Sequence, residues 1–265
     1  MKKQKVSIIT INYNNKAGLE KTIKSVISQT YPEFEYIVID GGSNDGSLDV
    51  IKKYADKITY WVSEPDKGIY NAMNKGIMRA SGEYCNFMNS GDCFYNCKII
   101  EKVFSEHQTD KIITGITQMN ASPKYLWYPP QKITFHLMYH GTISHQSSFI
   151  KTTLLKESLY DETIPIVADW AFFFKKLILD NCTYKALDEI ISIYDMTGIS
   201  STTPYNEERM NVLRKMLPLK LVEEYEQNKY GYHLIEKYTS LNKVGKKILT
   251  MWAIILSFFF TTNKK

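Results

Sequence analysis

An α/β fold, an open and mostly parallel sheet flanked by helices with a helical C-terminal appendage, is predicted for this 265-residue chain. Three observations predict it. Short apolar runs alternate with segments of helical period from residue 6 to residue 92. The runs carry few polar residues and no charged ones, as expected of strands covered on both faces. Each run also ends in a polar cluster rich in Asn, Asp, Gly or Ser, the residue types that turn a chain.

Val6-Ser-Ile-Ile-Thr-Ile11 reads as the first strand, ended by Asn12-Tyr13-Asn14-Asn15. Leu19, Ile23, Val26 and Ile27 then share one helical face, with Asn15 as N-cap. Tyr36–Ile39 is the second strand, stopping at Asp40-Gly41-Gly42-Ser43, and Leu48, Ile51, Tyr54 and Ala55 mark the second helix. Ile58–Val62 is the third strand. Asp66-Lys67-Gly68 turns the chain into a helix with Ile69, Ala72, Met73, Ile77 and Ala80 inward. Tyr84–Met88 is the fourth strand, ending at Asn89-Ser90-Gly91-Asp92.

The second half is less regular. Residues 111–116 and 145–151 read as strands, separated by an aromatic, Pro-containing loop at 123–131. Asp169-Trp170 opens a helix with Phe173, Phe174, Leu177 and Ile178 inward. Residues 184–195 read as a strand pair, and 204–244 as mainly helical and charged. No internal repeat or low-complexity linker is present.

Asn12/Tyr13, Asp40, Asp66 and Asn89/Asp92 all fall just beyond the carboxyl ends of successive strands. In open α/β sheets that edge binds ligands, so one shared site is expected there.

Composition excludes several alternatives. Apolar residues make up 44% of the chain, enough for a large core and too many for a disordered one. Net charge is +5 with the lysines dispersed, and no basic helix or nucleic-acid motif is present, so nucleic acid is not an expected partner. The opening Met-Lys-Lys-Gln-Lys lacks the apolar stretch of a secretory signal, so the four cysteines are expected as reduced cytosolic thiols. Cys93 and Cys97 have no partner pair that would complete a metal site. No Gly-x-Ser-x-Gly elbow and no Gly-x-Gly-x-x-Gly after the first strand is found, which argues against a serine hydrolase and a dinucleotide-binding protein.

Six blocks in order carry a specific resemblance. They are Val6-Ser-Ile-Ile-Thr-Ile-Asn-Tyr-Asn14, Ser25-Val-Ile-Ser-Gln-Thr30, Ile39-Asp-Gly-Gly-Ser-Asn-Asp-Gly46, Asp66-Lys-Gly-Ile-Tyr-Asn-Ala-Met-Asn-Lys-Gly76, Ser81-Gly-Glu-Tyr84 and Asn89-Ser-Gly-Asp92. Together they resemble the nucleotide-binding half of family 2 glycosyltransferases of the GT-A fold, nearest to bacterial enzymes of surface-polysaccharide synthesis. Beyond residue 140 the likeness rests on His145-Gln146 and Ala168-Asp169-Trp170.

The resemblance implies a GT-A domain over residues 1–200, with a nucleotide-binding half to about 95 and an acceptor half from about 96. A helical appendage over 201–245 and an apolar tail over 246–265 follow. The implied activity is inverting, non-processive sugar transfer from a nucleoside-diphosphate sugar, with a UDP-sugar favoured, to a glycan or lipid-linked acceptor. The resemblance sets Tyr13 against the base, with the backbone of Thr10, Ile11 and Asn12 around it and Asp40 beside it. Many members carry a second acidic residue after Asp40; here it is Gly41. Asp66, Lys67, Asn89, Ser90 and Gly91 would line the diphosphate and sugar, and Asp92 would hold a divalent Mn²⁺ or Mg²⁺. A hard cation can be held by one or two carboxylates completed by phosphate oxygens and water. His145, Gln146 and Trp170 would touch acceptor or diphosphate.

Such transfer needs charge neutralisation at the leaving diphosphate and a base for the acceptor hydroxyl. Asp169 is the candidate base, although Asp before an apolar helical run is also a common N-cap. Processive synthases use the same donor half but carry several membrane helices and a Gln-x-x-Arg-Trp motif, and this chain has neither. The remaining alternative is a non-catalytic nucleotide-sugar or glycan-binding protein with a degenerate site.

Ile248–Thr262 carries no charge and is flanked by Lys246, Lys247, Lys264 and Lys265. As a helix it would extend about 22 Å, short of a bilayer core of about 30 Å. Monotopic attachment to a membrane surface is therefore expected, placing the protein in the cytoplasm on the inner face of the cell membrane.

Overall fold

Residues 3–198 and 203–240 are described by the computed structural model, with side chains to residue 229. The apolar tail at 246–265 and the last part of the expected appendage lie outside the described residues. The chain divides into two compact units, Met1–Met210 and Asn211–Lys265.

The first unit opens with the predicted alternation: β1 Val6–Asn12, α1 Lys16–Ile27, β2 Phe34–Asp40, α2 Ser47–Lys53, β3 Tyr60–Ser63, α3 Ile69–Arg79 and β4 Tyr84–Phe87. Then come β5 Cys93–Phe94, α4 Ile99–Val103, β6 Ile112–Met119, β7 Tyr125–Trp127, α5 Phe135–His140, β8 Ser148–Lys151, α6 Thr152–Glu157, α7 Ala168–Phe174 and β9 Tyr184–Tyr194. Helix α8, Asn206–Met216, begins in this unit. The second unit contains α9, Leu219–Ser240.

All nine strands join one sheet in the order β3-β2-β1-β4-β8-β6-β9-β5, with β7 on β6. The first four strands are parallel. β8 runs antiparallel to both β4 and β6, so β6 points the same way as β4, and β9 is parallel to β6. The carboxyl ends of β1, β2, β3, β4, β6 and β9 therefore share one rim.

Each element has a local cause. Every residue of β1 is buried, as expected of a largely apolar strand covered on both faces. The side chain of Asn15 accepts from Gly18 N–H at 3.0 Å and caps α1, whose Leu19, Ile23 and Val26 pack on Val6, Ile8, Tyr36 and Val38. On the opposite face α3 lies so close to β1 that a Cβ on Gly76 would come within 2.5 Å of Ile9.

Two sequence expectations are corrected, and the start of α3 is defined. Residues 184–195 form a single long strand, β9, with register shifts against β6 near Ile116, where a strand pair was expected. The irregularity weakened the apparent periodicity. His145–Ser147 is a 3-10 turn ahead of β8, so His145 and Gln146 precede the strand and do not begin it. Asp66 does not cap α3. The N-cap is Gly68, at φ 117°, and Asp66 Oδ1 accepts from Gly68 N–H at 2.9 Å, fixing the turn before the helix.

A buried carboxylate anchors the amino ends of the strands, away from this rim. Glu35 accepts from Lys5 Nζ, the Ser7 and Ser81 hydroxyls, and the Ser81 and Gly82 N–H groups. Burial would raise its carboxyl, but the ammonium, hydroxyl and amide donors prevail and hold it down at about 2. That displacement corresponds to about 3 kcal/mol of stability at neutral pH. A depressed carboxyl contributes fully above its unfolded value and loses the contribution as pH falls. Glu35→Gln should therefore destabilise the protein at pH 7 by about 3 kcal/mol, and the difference from wild type in urea unfolding should shrink as pH drops from about 4.5 toward 2.

Candidate functional site

The rim gathers most of the sequence-predicted residues but uses them unequally. Asp40, at the end of β2, is fully buried and both its oxygens are occupied. It accepts from Asn12 Nδ2 at 2.7 Å, Ser43 Oγ at 2.6 Å, Ser63 Oγ at 2.6 Å and Ser43 N–H at 3.0 Å. Burial alone would raise the Asp40 carboxyl, yet these donors bring it below its ordinary value. Its side chain thus organises the 41–43 loop, and contact with a base would fall to the groups it positions. Thr10 is likewise internal, donating to the Met88 carbonyl at 2.7 Å, and the Ile11 carbonyl accepts from Ser90 N–H at 3.1 Å.

Above this buried layer stands an open one. Tyr13 is 67% exposed. A Cβ on Gly41 would come within 2.5 Å of Asp66 Oδ2 and 3.2 Å of the Tyr13 ring. The absent side chain at 41 therefore lets Tyr13 and the Asp66 carboxylate approach one another. Lys67 is exposed beside them.

Asp92 is almost fully buried, its Oδ1 accepting from Asp195 N–H at 2.7 Å. Burial pushes its carboxyl up to about 7, opposed by the Asp195 amide and by the charges of His145 and Lys21. Asp195 is a residue that sequence reasoning missed. Its side chain lies where a Cβ on Gly91 would go, and Gly91 has φ +106°, a conformation that only glycine adopts without strain. The signal was available, because Asp195 directly follows a strand, like the other rim residues. Lys21 on α1 donates to the Gly91 carbonyl at 2.7 Å.

In the loop that carries Asp92, Asn89 Oδ1 and Ser90 Oγ are buried with no protein partner. Asp92, Asp195, Asn89 and Ser90 supply oxygens of the type a hard divalent cation takes. Among the described residues no three His, Cys, Asp or Glu side chains gather into a cation site. The donor set therefore fits a cation whose remaining ligands come from a phosphate and water.

The second half of the chain delivers Asp169 in the first turn of α7. Its Oδ2 lies 2.8 Å from His145 Nδ1. Its Oδ1 accepts from Trp170 N–H at 2.8 Å and lies 2.9 Å from Tyr70 Oη, whose proton is shared with the Ile166 carbonyl at 2.6 Å. Burial would raise Asp169, but the His145 hydrogen bond and charge, with the Tyr70 and Trp170 donors, lower it. Burial would lower His145, but Asp169 and the Asp92 charge raise it. The other ring nitrogen, Nε2, faces the Asn89 amide at 3.3 Å. Asp92 N–H donates to the Asn89 carbonyl at 2.9 Å. With the ring neutral, Nδ1–H donates to Asp169 and Nε2 accepts from Asn89 Nδ2, so one imidazole joins the 89–92 loop to Asp169.

Tyr70 and Glu208 also escaped sequence reasoning, since neither follows a strand. Glu208 Oε1 accepts from Ile166 and Val167 N–H, both at 2.9 Å, and so caps the start of α7. Trp170, expected beside an acceptor, is corrected to an interior role. It is 3% exposed, donates Nε1–H to the Met138 carbonyl at 2.7 Å and lies under the Arg209 guanidinium at 4.2 Å. The Gln146 side chain is buried as well. Helical spacing puts Trp170 on the inward face of α7 while Asp169 stays at the rim.

With this geometry in place, comparison with known proteins decides the family. A model described as glycosyl transferase family 2 matches residues 7–181. The chain belongs to that family. It is a glycosyltransferase with the GT-A fold. An uncharacterized glycosyltransferase of Mycobacterium tuberculosis is 31% identical, over 74% of this chain and 77% of its own length. A PGL/p-HBAD biosynthesis glycosyltransferase of Mycobacterium bovis is 26% identical, over 80% of this chain and 84% of its own. Among solved structures, TarS 1-349 of S. aureus in complex with UDP-GlcNAc has a TM-score of 0.65 at 22% identity, over 79% of this chain and 64% of that one. The match to the longer TarS chain spans 38% of it. A mannosyltransferase from Pyrobaculum calidifontis in complex with GDP-Man and Mn²⁺ has a TM-score of 0.59 at 12% identity, over 96% of this chain and 81% of that one. These likenesses to solved structures speak to the fold.

The four cysteines are all free. Among the described residues no helix is long and apolar enough to cross a membrane.

The His145–Asp169 contact has a direct spectroscopic consequence. Because the carboxylate holds the imidazolium, Asp169→Asn should lower the pKa of His145. Titration of the histidine ring protons by NMR checks this; an unchanged His145 would refute the pairing.

Proposed function

We propose that this glycosyltransferase moves one sugar from a nucleoside-diphosphate donor, a UDP-sugar, to a hydroxyl of a glycan or lipid-linked acceptor, with inversion at the anomeric carbon. The observation that carries the reading is the join between the 89–92 loop and Asp169 through His145. Single displacement needs a charge-neutralising group at the leaving diphosphate and a base on the other side of the reacting carbon. Two carboxylates separated by an imidazole on one rim supply that arrangement.

In this reading Tyr13 packs on the base, and Asp66 and Lys67 line the donor beside it. Asp92 and Asp195 would hold Mn²⁺ or Mg²⁺, which when bound neutralises charge on the diphosphate as a Lewis acid. Lys21, donating to the Gly91 carbonyl, adds positive charge to the same loop. Asp169 takes the proton of the attacking hydroxyl. His145 keeps that carboxylate ionised and oriented, and the buried Tyr70 fixes its second oxygen. The donor half is residues 1 to about 95 and the acceptor half continues to about 200. Residues 201–245 would make up the appendage expected from the sequence, and the tail at 246–265 would attach the enzyme to the cytoplasmic face of a membrane during surface-polysaccharide synthesis. The family membership and the fold shared with proteins solved with UDP-GlcNAc and with GDP-Man and Mn²⁺ support a nucleotide-sugar donor.

A panel of nucleotide sugars with Mn²⁺, read as sugar-dependent nucleoside-diphosphate release, tests this. Asp169→Asn should cut turnover by roughly 10²–10⁴-fold, the range for loss of a positioned base, while donor binding persists. Asp92→Asn should instead weaken metal-dependent donor binding. Near-normal turnover of Asp169→Asn would overturn the assignment.

A further inference from the structure

The loop at 123–131 contains a feature that the donor site does not use. β7 lies antiparallel on the end of β6, pairing Thr117 with Trp127 and Met119 with Tyr125. The same β6 residues pair on their other side with β9, Thr117 with Ser192 and Met119 with Tyr194. Residues directly opposite one another in a sheet project from the same face. Two rows follow: Ser192–Thr117–Trp127, and nearer the rim Tyr194–Met119–Tyr125.

The face is identified by hydrogen bonds. Thr117 Oγ1 donates to Ser147 Oγ at 2.8 Å, and Ser147 Oγ lies 2.7 Å from Ser192 Oγ. Ser147 ends the 3-10 turn that begins with His145. Trp127 and Tyr125 therefore project from the face on which the His145 turn docks. At its outer end Tyr194 is followed by Asp195, whose N–H is held by Asp92. Tyr125 is 50% exposed and Tyr128 is 61% exposed.

An aromatic ledge thus borders the catalytic rim. It lies on the β8 side of β6, because β9 holds the other edge of Thr117–Met119, and is thus two strand positions from β1, about 10 Å at the usual spacing. A base packed on the Tyr13 ring at the end of β1 does not cover the ledge. Flat aromatic faces flanked by polar groups suit a pyranose, whose axial C–H bonds form an apolar face and whose hydroxyls remain at the edge.

We propose that Tyr125 and Trp127 form the platform that binds a pyranose ring of the acceptor glycan. This inference rests on the transferase reading for its orientation. The sugar nearest the ledge would present its hydroxyl toward Asp169, and the alternating rows would fix its distance from the rim.

The test uses the full chain with methyl glycosides of glucose, galactose, mannose and N-acetylglucosamine as probes, read by saturation-transfer NMR. At least one probe should receive saturation mainly on the protons of one ring face. Tyr125→Ala and Trp127→Ala should each weaken that binding about fivefold to tenfold, and Tyr125→Phe should restore it, since the ring and not the hydroxyl makes the contact. Thermal unfolding of each variant shows whether its fold survives, and Tyr125→Leu serves if either alanine variant unfolds. Absence of saturation on every probe, or equal saturation in the wild type and both alanine variants, overturns the platform. So does ledge-dependent binding to anionic phospholipid vesicles in place of glycosides. Donor-dependent nucleotide release is measured alongside. Retained release with unaltered glycoside contacts sinks the platform and leaves the transferase reading standing, whereas ledge-dependent glycoside binding without any donor turnover supports the platform and counts against that reading.

Discussion

The contact between His145 and Asp169 is the constraint on which the site depends. A carboxylate set into the base of α7 beside Tyr70 and Tyr160 is costly to keep ionised without a positive partner. The imidazole supplies the Nδ1–H donor and, when protonated, the charge, while Nε2 accepts from the Asn89 amide only in the neutral ring. One side chain therefore sets the distance between the loop after β4 and the start of α7. Its own position is not free either. Ser147 is tied to Thr117 and Ser192, which fixes the 3-10 turn on the sheet and leaves His145 only a narrow range of placements. The rigid β6–β9 pair thus determines where the imidazole sits, and through it where Asp169 can act.

The parallel half of the fold was legible because its signal is redundant. In β1, β2 and β4 the apolar run, its length and the polar residue that ends it all agree, and the Asn15 cap adds a fourth mark. The second half lacks that redundancy. β9 carries Asp188 and Glu189 and shifts register against β6, so its eleven residues looked like two strands. β5 has only two residues, too few for any period to appear. The 3-10 turn at His145 has no sequence period distinct from the strand it precedes.

The site was legible in a similarly uneven way. Motif residues reveal that a position matters but not which layer it occupies. Asp40, Thr10 and Trp170 are all interior, each with its polar atoms bonded inside the protein. Their contribution is to hold shape, in the way that four donors on Asp40 lock the turn leading to Gly41. Tyr13, Asp66 and Lys67 form the outer layer that a ligand can reach. Telling the two layers apart needs burial, which depends on contacts between distant segments. The partners of Asp169 show the same limit: Tyr70 lies 99 positions away in the chain, and only folding brings it there.

The sparse acidic content around Asp92 has a counterpart in the fold. Read locally, Asn89-Ser-Gly-Asp92 offers one carboxylate, which leaves a degenerate site as the alternative to a metal-binding one. In three dimensions a second carboxylate arrives at Asp195, more than a hundred positions later, with its amide bonded to Asp92. Gly91 is what admits it. Any side chain there would strike Asp195, and the φ of +106° would strain the backbone as well. The glycine and the distant aspartate are therefore one device: the loop gives up bulk so that β9 can bring its charge alongside. A pair of carboxylates assembled from two strands has a further consequence. It ties the β4 loop, which would carry the diphosphate, to the end of β9, which is separated from the aromatic ledge only by β6. In the proposed reading, that same amide hydrogen bond would hold the donor and acceptor flanks in register.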